Sequence, residues 1–497
     1  MTGIILNDCA YEQDIRELLM AFFPGETFAH EVQAGLDRSI RGNLSEDRKT
    51  FSIQVVTEGD QEFQSWGMTP QEKAEMDVFD QPISVDYEDR FETKNKIKRR
   101  LYVVLKSITG KDLPWGTLTG IRPTKIAMTK LQEGMAENEI FRYMKETYFT
   151  SDEKINLSIE IAKRERRLLS TIDYQHGYSL YVGIPFCPTT CLYCSFTSYP
   201  IGKWQGRTRL YLDALFKELD YVAEGKKGCT LDTLYFGGGT PTSLSPEDLD
   251  LLITKLKTTF DFSTVQEFTV EAGRPDSITR EKLEVLKKHG VTRISINPQT
   301  MKQETLKLIG RRHTVEDVRT QFLLARELGF DNINMDLIIG LPEEELEDVR
   351  ATMEAVKELA PDSVTVHSLA IKRAARLNTM KEVYKDLKIT NTQEMIDLTA
   401  QYAREMGLEP YYLYRQKNMA GNFENVGYAA PGKACIYNVL IMEEQQTIIG
   451  CGAGTTTKRL FAEENRIERV ENVKDVEQYI ERIDEMIKRK RKLLGSL

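Results

Sequence analysis

The sequence predicts an α/β chain: a partial (β/α)6 barrel with an N-terminal α+β domain and a mainly helical C-terminal region. Three observations carry this. From Tyr181 onward, six short apolar runs alternate with amphipathic helical stretches, the pattern of parallel strands joined by crossover helices. Glycines and polar residues collect where those runs end, which is where a βα barrel keeps its chemistry. Before residue 170 and beyond residue 375 the alternation is absent.

Residues 1–170 mix the two periodicities and read as an accessory α+β domain. An extended stretch covers Phe51-Ser-Ile-Gln-Val-Val, another lies near Ile83 to Val85, and a long basic helix runs from about Thr93 to Ser107. The conspicuous segment is Leu113-Pro-Trp-Gly, leading to Arg122-Pro-Thr-Lys125 and a helix that starts at Thr124. Arg122 and Lys125 can hold an anion at that helix N-terminus; a Trp-anchored interdomain turn explains the same residues.

Residues 171–375 carry the barrel. The strands are Tyr181–Ile184, Thr233–Phe236, Phe268–Glu271, Arg293–Ile296, Ile333–Leu337 and Ser363–Val366. Helices lie between them near Arg209–Ala223, Pro246–Phe260, Arg280–His289, Glu316–Gly329 and Leu346–Leu359. Residues 376–497 follow as a mainly helical region with a few strands and the aromatic run Tyr411-Tyr-Leu-Tyr414. They end on an amphipathic pattern at Val476, Tyr479, Ile480, Ile483, Met486 and Ile487. The basic cluster Lys488-Arg-Lys-Arg-Lys492 then reads as a solvated helix end at the negative pole of the dipole.

At 497 residues the chain is long enough for about three domains. With 41% apolar and 29% charged residues it reads as a globular protein, with no apolar run long enough for a bilayer and no signal peptide at its start. We expect it in the cytoplasm. Seven cysteines, three of them crowded together, suit a reducing compartment better than a disulfide framework. Sixty-seven basic against 76 acidic residues give a net charge of −9, the wrong sign for a broad nucleic-acid face.

The stretch that organises the rest is Tyr181-Val-Gly-Ile-Pro-Phe-Cys187-Pro-Thr-Thr-Cys191-Leu-Tyr-Cys194. Three thiolates in CxxxCxxC spacing can ligate three corners of a [4Fe–4S] cube, whereas an electron-transfer cluster takes four. One iron is left open. The same cysteines also read as a structural zinc site, although zinc favours a fourth protein ligand and paired CxxC spacing.

Polar groups follow at the other strand ends. Gly237-Gly-Gly239-Thr240-Pro lets backbone approach a ligand closely. Strand three ends at Glu271, and strand four leads to Asn297-Pro-Gln299. Ile309-Gly-Arg311-Arg312-His313 comes next, then Asn334 and Asp336 before Gly340-Leu-Pro342. Taken singly, a carboxylate at a strand end is a cap or an ion pair, and His313 is a surface histidine. Taken together they offer one rim of polar partners to a ligand.

The cysteine spacing, with Tyr193 before the last cysteine, resembles the signature of the radical S-adenosylmethionine (SAM) enzymes, in which SAM chelates the open iron. The run of motifs from Tyr181 through Val-Glu-Ala, Arg-Ile-Ser-Ile, Ile-Gly-Arg-x-His and Asn-x-Asp-Leu-Ile-x-Gly-Leu-Pro to Ser368-Leu-Ala370 resembles oxygen-independent coproporphyrinogen III oxidase and its relatives. The N-terminal domain and Tyr414-Arg-Gln-Lys-Asn-Met-Ala-Gly-Asn are similar to the HemZ-type branch, coproporphyrinogen dehydrogenase.

By position, the resemblance implies that Cys187, Cys191 and Cys194 hold the cluster. Tyr181, Gly238 and Glu271 would contact its SAM, and Gly239, Thr240, Gln299, Arg311, Asp336 and Ala370 would line a second SAM site. It further implies a tetrapyrrole substrate, a low-potential donor such as flavodoxin or ferredoxin, and a C-terminal region that covers the substrate. The reaction implied is oxidative decarboxylation of coproporphyrinogen III propionates to vinyl groups, giving protoporphyrinogen IX. Four substrate carboxylates call for local cations: Arg311, Arg312, Lys372, Arg373, Arg376, Arg415 and Lys417. This chain departs from the family at Gly183, where His is usual, and at His367, where Tyr is usual. It also lacks, over residues 421–438, the His-Asn-x-x-Tyr-Trp stretch of the related haem chaperones. The alternatives are a radical SAM enzyme that methylates or opens haem, and a haem-binding or trafficking protein without turnover.

Overall fold

A computed structural model describes residues 1–31, 36–57, 82–120, 122–415, 423–464 and 466–495. The chain divides into two compact units, Met1–Ala162 with a return at Arg415, and Lys163–Tyr414 with the chain from Met419 onward.

The first unit is a five-stranded sheet of β1 (Thr2–Leu6), β2 (Phe28–Ala29), β3 (Arg38–Leu44), β4 (Thr50–Thr57) and β5 (Ile83–Ser84), ordered β2-β1-β3-β4-β5. Helices Glu12–Phe22 and Arg90–Thr109 bury Ile15, Leu19, Phe22, Ile97 and Leu101 against Ile40, Phe51 and Ile53 of the strands. The longer helix is fixed at both ends. Asp89 accepts from the Glu92 N–H at 2.9 Å, and Gly110 closes the C-terminus at φ 64°, a conformation that costs glycine nothing. Trp115 is fully buried in this unit, under the Arg415 guanidinium, which donates to the Leu118 carbonyl at 2.6 Å. Trp115 is therefore a core anchor, and Lys125 is exposed to solvent.

The second unit is built on an eleven-stranded sheet. Its centre is six parallel strands in consecutive order: β6 (Gly177–Ile184), β9 (Thr230–Gly238), β10 (Glu267–Gly273), β11 (Arg293–Ile296), β12 (Ile333–Ile339) and β13 (Ser363–Ser368). Two short strands, β7 (Phe186–Cys187) and β8 (Tyr199–Pro200), pair separately beside β6. The helices Thr208–Gly225, Pro246–Thr259, Arg280–Lys288, Val315–Glu327 and Leu346–Leu359 make the crossovers. Their starts are chemically marked: Ser245, Thr279 and Thr314 each accept a first-turn N–H.

Among the described residues β6 and β13 do not pair, so the six strands stay open. Beyond residue 375, helices Gln393–Glu405, Ile436–Glu443, Val476–Glu481 and Ile483–Leu494 accompany five strands that extend the sheet at both edges. β14 (Glu409–Tyr414) and β15 (Asn425–Ala429) continue from β13 in antiparallel register; β16 (Thr447–Cys451) lies parallel to β6, and β17 (Thr456–Phe461) and β18 (Arg466–Glu471) follow it. The expected terminal helix breaks at Arg482 into two. Its basic cluster is solvated at Lys488, Arg491 and Lys492 as expected, but Lys490 is 0% exposed, because it neutralises Glu218 inside the unit.

The register sorts the two faces of the six strands. Leu180, Val182, Leu234, Phe236, Val270, Ile294, Met335, Leu337, Val364 and Val366 are buried apolar residues. The alternate residues are polar: Tyr181 pairs with Tyr235, Glu271 with Ser295, Ser295 with Asn334, and Asp336 with Thr365. A strand alternates its side chains between faces, so one face packs and the other forms a polar chamber. A closed barrel fills its interior with branched apolar residues; this open one is lined for a polar ligand. No helix among the described residues is long and apolar enough to cross a membrane.

Candidate active site at the strand ends

The cysteine loop leaves the end of β6 and is held from several directions. Leu192 N–H donates to the Ile309 carbonyl at 2.9 Å, Thr189 Oγ1 to the Gly310 carbonyl at 2.8 Å, and Leu377 N–H to the Leu192 carbonyl at 3.0 Å. Arg274, 3% exposed, donates through Nη1 to the Thr189 carbonyl at 2.9 Å and stands 3.8 Å from Cys191 Sγ. Its other edge is paired with Asp276 at 2.6 Å. Burial would raise the Asp276 carboxyl, but hydrogen bonds and charge from His313 and Arg274 overcome this and hold it well below the usual range.

The glycine-rich end of β9 is stitched to the same loop. Gly239 N–H donates to the Ile184 carbonyl at 2.8 Å and Thr240 N–H to the Phe186 carbonyl at 2.7 Å, which sets Thr240 Oγ1 3.4 Å from Cys187 Sγ. A Cβ on Gly239 would stand 2.6 Å from the Phe186 carbonyl oxygen, and Gly238 adopts φ 105°. Neither position accepts a side chain without moving backbone.

Cys187, Cys191 and Cys194 are all free; the first two are buried and Cys194 is partly exposed. Burial pushes the Cys187 thiol up to about 11 and raises Cys194 as well. A bound metal reverses that preference by deprotonating the thiol. The donor set fits a cluster: three free thiols surrounded by two guanidinium groups and a hydroxyl. Among the described residues no three His, Cys, Asp or Glu side chains converge to hold one ion. Thiolates that each take a separate iron of a cube stand further apart than ligands sharing one ion.

On the chamber face, Tyr235 OH donates to Glu271 Oε1 at 2.7 Å. The Tyr181 and Tyr235 rings stack at 5.8 Å and Tyr437 stacks on Tyr235 at 4.4 Å, so helix Ile436–Glu443 floors the chamber with an aromatic ring. A Cβ on Gly237 would lie 2.8 Å from Tyr181 OH and 3.1 Å from Glu271 Oε1, which puts both beside this glycine. Burial, with Asp336 nearby, pushes the Glu271 carboxyl up to about 7, against the hydrogen bond from Tyr235. Across the chamber Asn334 Nδ2 donates to Asp336 Oδ1 at 2.7 Å, His367 Nε2 stands 3.9 Å from the same oxygen, and Tyr414 OH is 3.3 Å from His367 Nδ1. Gln299, at φ 69°, donates its N–H to the Asp336 carbonyl at 3.0 Å, and its side-chain oxygen is buried without a hydrogen bond. That oxygen has its acceptor capacity unused.

The structure thus gathers Cys187, Gly239 and Thr240 in one group, Tyr181 and Glu271 beside Gly237 in a second, and Gln299 with Asp336 in a third, while Gly238 packs against Ile184. Ala370 lies just past β13. Arg311 is turned inward beside the cysteine loop. It is 6% exposed, and its guanidinium donates to the Asn297 carbonyl and, at 3.2 Å, to Tyr193 OH, so it braces the cysteine loop from inside. His313 is not a surface residue; it is 1% exposed with Nδ1 3.7 Å from Asp276 Oδ1. Arg312, Lys372, Arg373 and Arg376 are exposed, Arg415 belongs to the N-terminal unit, and Lys417 lies outside the described residues. Sequence reasoning passed over Tyr235, Arg274, Ser295, Asn334 and Tyr437 as site residues or weighed them only at strand ends. The strict polar and apolar alternation within Thr-Leu-Tyr-Phe and Arg-Ile-Ser-Ile would have flagged Tyr235 and Ser295.

The sequence profile of the Radical SAM superfamily matches residues 181–356, from β6 to within the last crossover helix. The chain is a radical SAM enzyme, and that class carries a [4Fe–4S] cluster and SAM. Over 423 residues, 84% of each chain, it is 43% identical to the oxygen-independent coproporphyrinogen-III oxidase-like protein HemZ of Bacillus subtilis. It belongs to the HemZ-type branch of the oxygen-independent coproporphyrinogen III oxidase family. The haem chaperone HemW of Bacillus subtilis is 40% identical over 198 residues, 39% of this chain and 51% of that protein. Among solved structures, coproporphyrinogen III oxidase (HemN) from Escherichia coli superposes with TM-score 0.52 at 25% identity, covering 65% of this chain and 72% of that one.

Proposed function

We propose that this enzyme oxidatively decarboxylates propionate side chains of coproporphyrinogen III to vinyl groups, giving protoporphyrinogen IX. The observation that carries the reading is the polar inner face of the six strands, which opens beside the three free cysteines and ends at Glu271, Gln299, Asp336 and His367. It supports a large polar ligand held against a cluster, as the similarity to HemZ and HemN suggests.

Cys187, Cys191 and Cys194 would hold the cluster. When bound, cluster and SAM supply one-electron cleavage and abstraction of a hydrogen atom from the propionate β-carbon. The chain's own residues position and shield. Tyr181, Gly238 and Glu271 present an acceptor set to the SAM on the open iron, with Tyr235 fixing the carboxylate. Gly239, Thr240, Gln299, Arg311, Asp336 and Ala370 would line the adjoining wall, where a second SAM would sit. Tyr437 closes the chamber floor and excludes water. A low-potential carrier such as flavodoxin or ferredoxin would supply the electron.

A second reading, haem binding without turnover, is favoured by the 40% identity to a haem chaperone. The experiment is an anaerobic incubation of cluster-reconstituted protein with SAM, reductant and coproporphyrinogen III, read by mass spectrometry. Tetrapyrroles lighter by one and two formic-acid equivalents are expected. Unchanged coproporphyrinogen with stoichiometric haem binding would select the chaperone-like reading.

A further inference from the structure

The cluster proposed at Cys187, Cys191 and Cys194 needs an electron from outside, and the surface beside Cys194 differs from the rest of the chain. Phe196, two residues on, is 69% exposed. Lys372 Nζ stands over the Phe196 ring at 5.5 Å. The segment that brings Lys372 there is tied to the cysteine loop by Leu377 N–H on the Leu192 carbonyl, and it shows Met380 at 39% and Val383 at 66% exposure. A large aromatic side chain left in solvent, with a lysine over its ring, is the composition of an interface centre.

Charge selects the occupant. The chain is net −9, yet between Ile371 and Tyr384 Lys372, Arg373, Arg376 and Lys381 stand against Glu382 alone. Lys372, Arg373 and Arg376 are exposed, and none sits in an ion pair with a described residue. The exposed Lys388 just beyond, by contrast, is paired with Glu345. A local positive field on an acidic protein steers an acidic partner to one spot and repels it elsewhere.

We propose that Phe196, Lys372, Arg373 and Arg376 form the docking surface for an acidic one-electron carrier protein. On docking, one electron leaves the carrier and enters the cluster beside Cys194; the carrier is oxidised by one electron and the cluster reduced by one. This rests on the cluster reading and not on the identity of the tetrapyrrole, so the test omits porphyrinogen.

The reconstituted full chain is given SAM and either a reduced flavodoxin or dithionite, and 5′-deoxyadenosine is counted; flavodoxin association is measured in parallel by interferometry at two salt concentrations. Lys372→Glu with Arg373→Glu, and separately Phe196→Ser, are expected to slow the flavodoxin-supported reaction and weaken association about tenfold, while the dithionite-supported reaction and iron content hold. Higher salt should weaken wild-type association and leave the charge variant little changed. Equal losses with both reductants would overturn the proposal by placing these residues in the substrate or cluster site. So would an unchanged flavodoxin rate, or no saturable association with the wild-type chain.

Discussion

Lys490 Nζ lies 2.6 Å from Glu218 Oε1, and both side chains are 0% exposed. The same carboxylate accepts from Gly452 N–H at 2.7 Å, Asn472 Nδ2 at 2.8 Å and Tyr479 OH at 2.5 Å. One glutamate of the first crossover helix therefore holds the terminal helices and the turn after β16. Lys490→Met leaves that carboxylate buried without a cation and should cost about 3–5 kcal/mol, read as a lowered denaturant midpoint. Adding Glu218→Gln should restore part of the loss, since no charge is then left uncompensated.

Tyr235→Phe removes the one neutral donor from Glu271, whose carboxyl burial already pushes up to about 7. Because this folded value exceeds the ordinary one, the ligand-free fold favours the protonated acid, and this contribution to stability is lost as pH rises from the usual glutamate range through about 7. SAM binding that uses the carboxylate should weaken as pH falls through the same value. In Tyr235→Phe the midpoint should move to higher pH, which calorimetric titration of SAM across neutral pH will show.

Gly239→Ala drives a methyl group against the Phe186 carbonyl, the contact that seats Cys187. Overpacking against backbone should cost about 1–3 kcal/mol. Bound iron per chain after reconstitution should fall more than the helix content measured by circular dichroism.

Cys194→Ala should abolish the cluster absorbance and SAM cleavage with far-ultraviolet circular dichroism intact. Cys229→Ser, at an exposed cysteine, should change neither.

Arg311→Glu reverses a buried guanidinium that spans the Asn297 carbonyl and Tyr193, so it places a carboxylate against a carbonyl and should release the cysteine loop. Iron content is expected to fall together with turnover, and Arg311→Lys should lose less of both.

The barrel was legible where short-range patterning decides. The strand Arg293–Ile296 and the helix Leu346–Leu359 lie where their periodicity puts them, and the cysteines announced a ligand by spacing alone. Lys490 was misread because a lysine within a basic run reads as solvated, and its partner Glu218 is 272 positions away. Of the adjacent pair Arg311 and Arg312, nothing local says which one turns inward; contacts with Tyr193 and Asn297 decide it. The strands after residue 375 were underweighted for a similar reason: β16 is five residues long and gains its stability from β6, a neighbour set by topology.

The pairing of β6 with β16 also fixes when this protein can mature. β6 leads into the cysteine loop, yet the strand that completes its other edge, β16, is translated long after it. At about 5–20 residues per second, the nascent chain holds that loop beside a strand with one open edge for on the order of tens of seconds. Until β16 arrives, the thiol-bearing loop stands beside an open strand edge, a place prone to aggregation and oxidation.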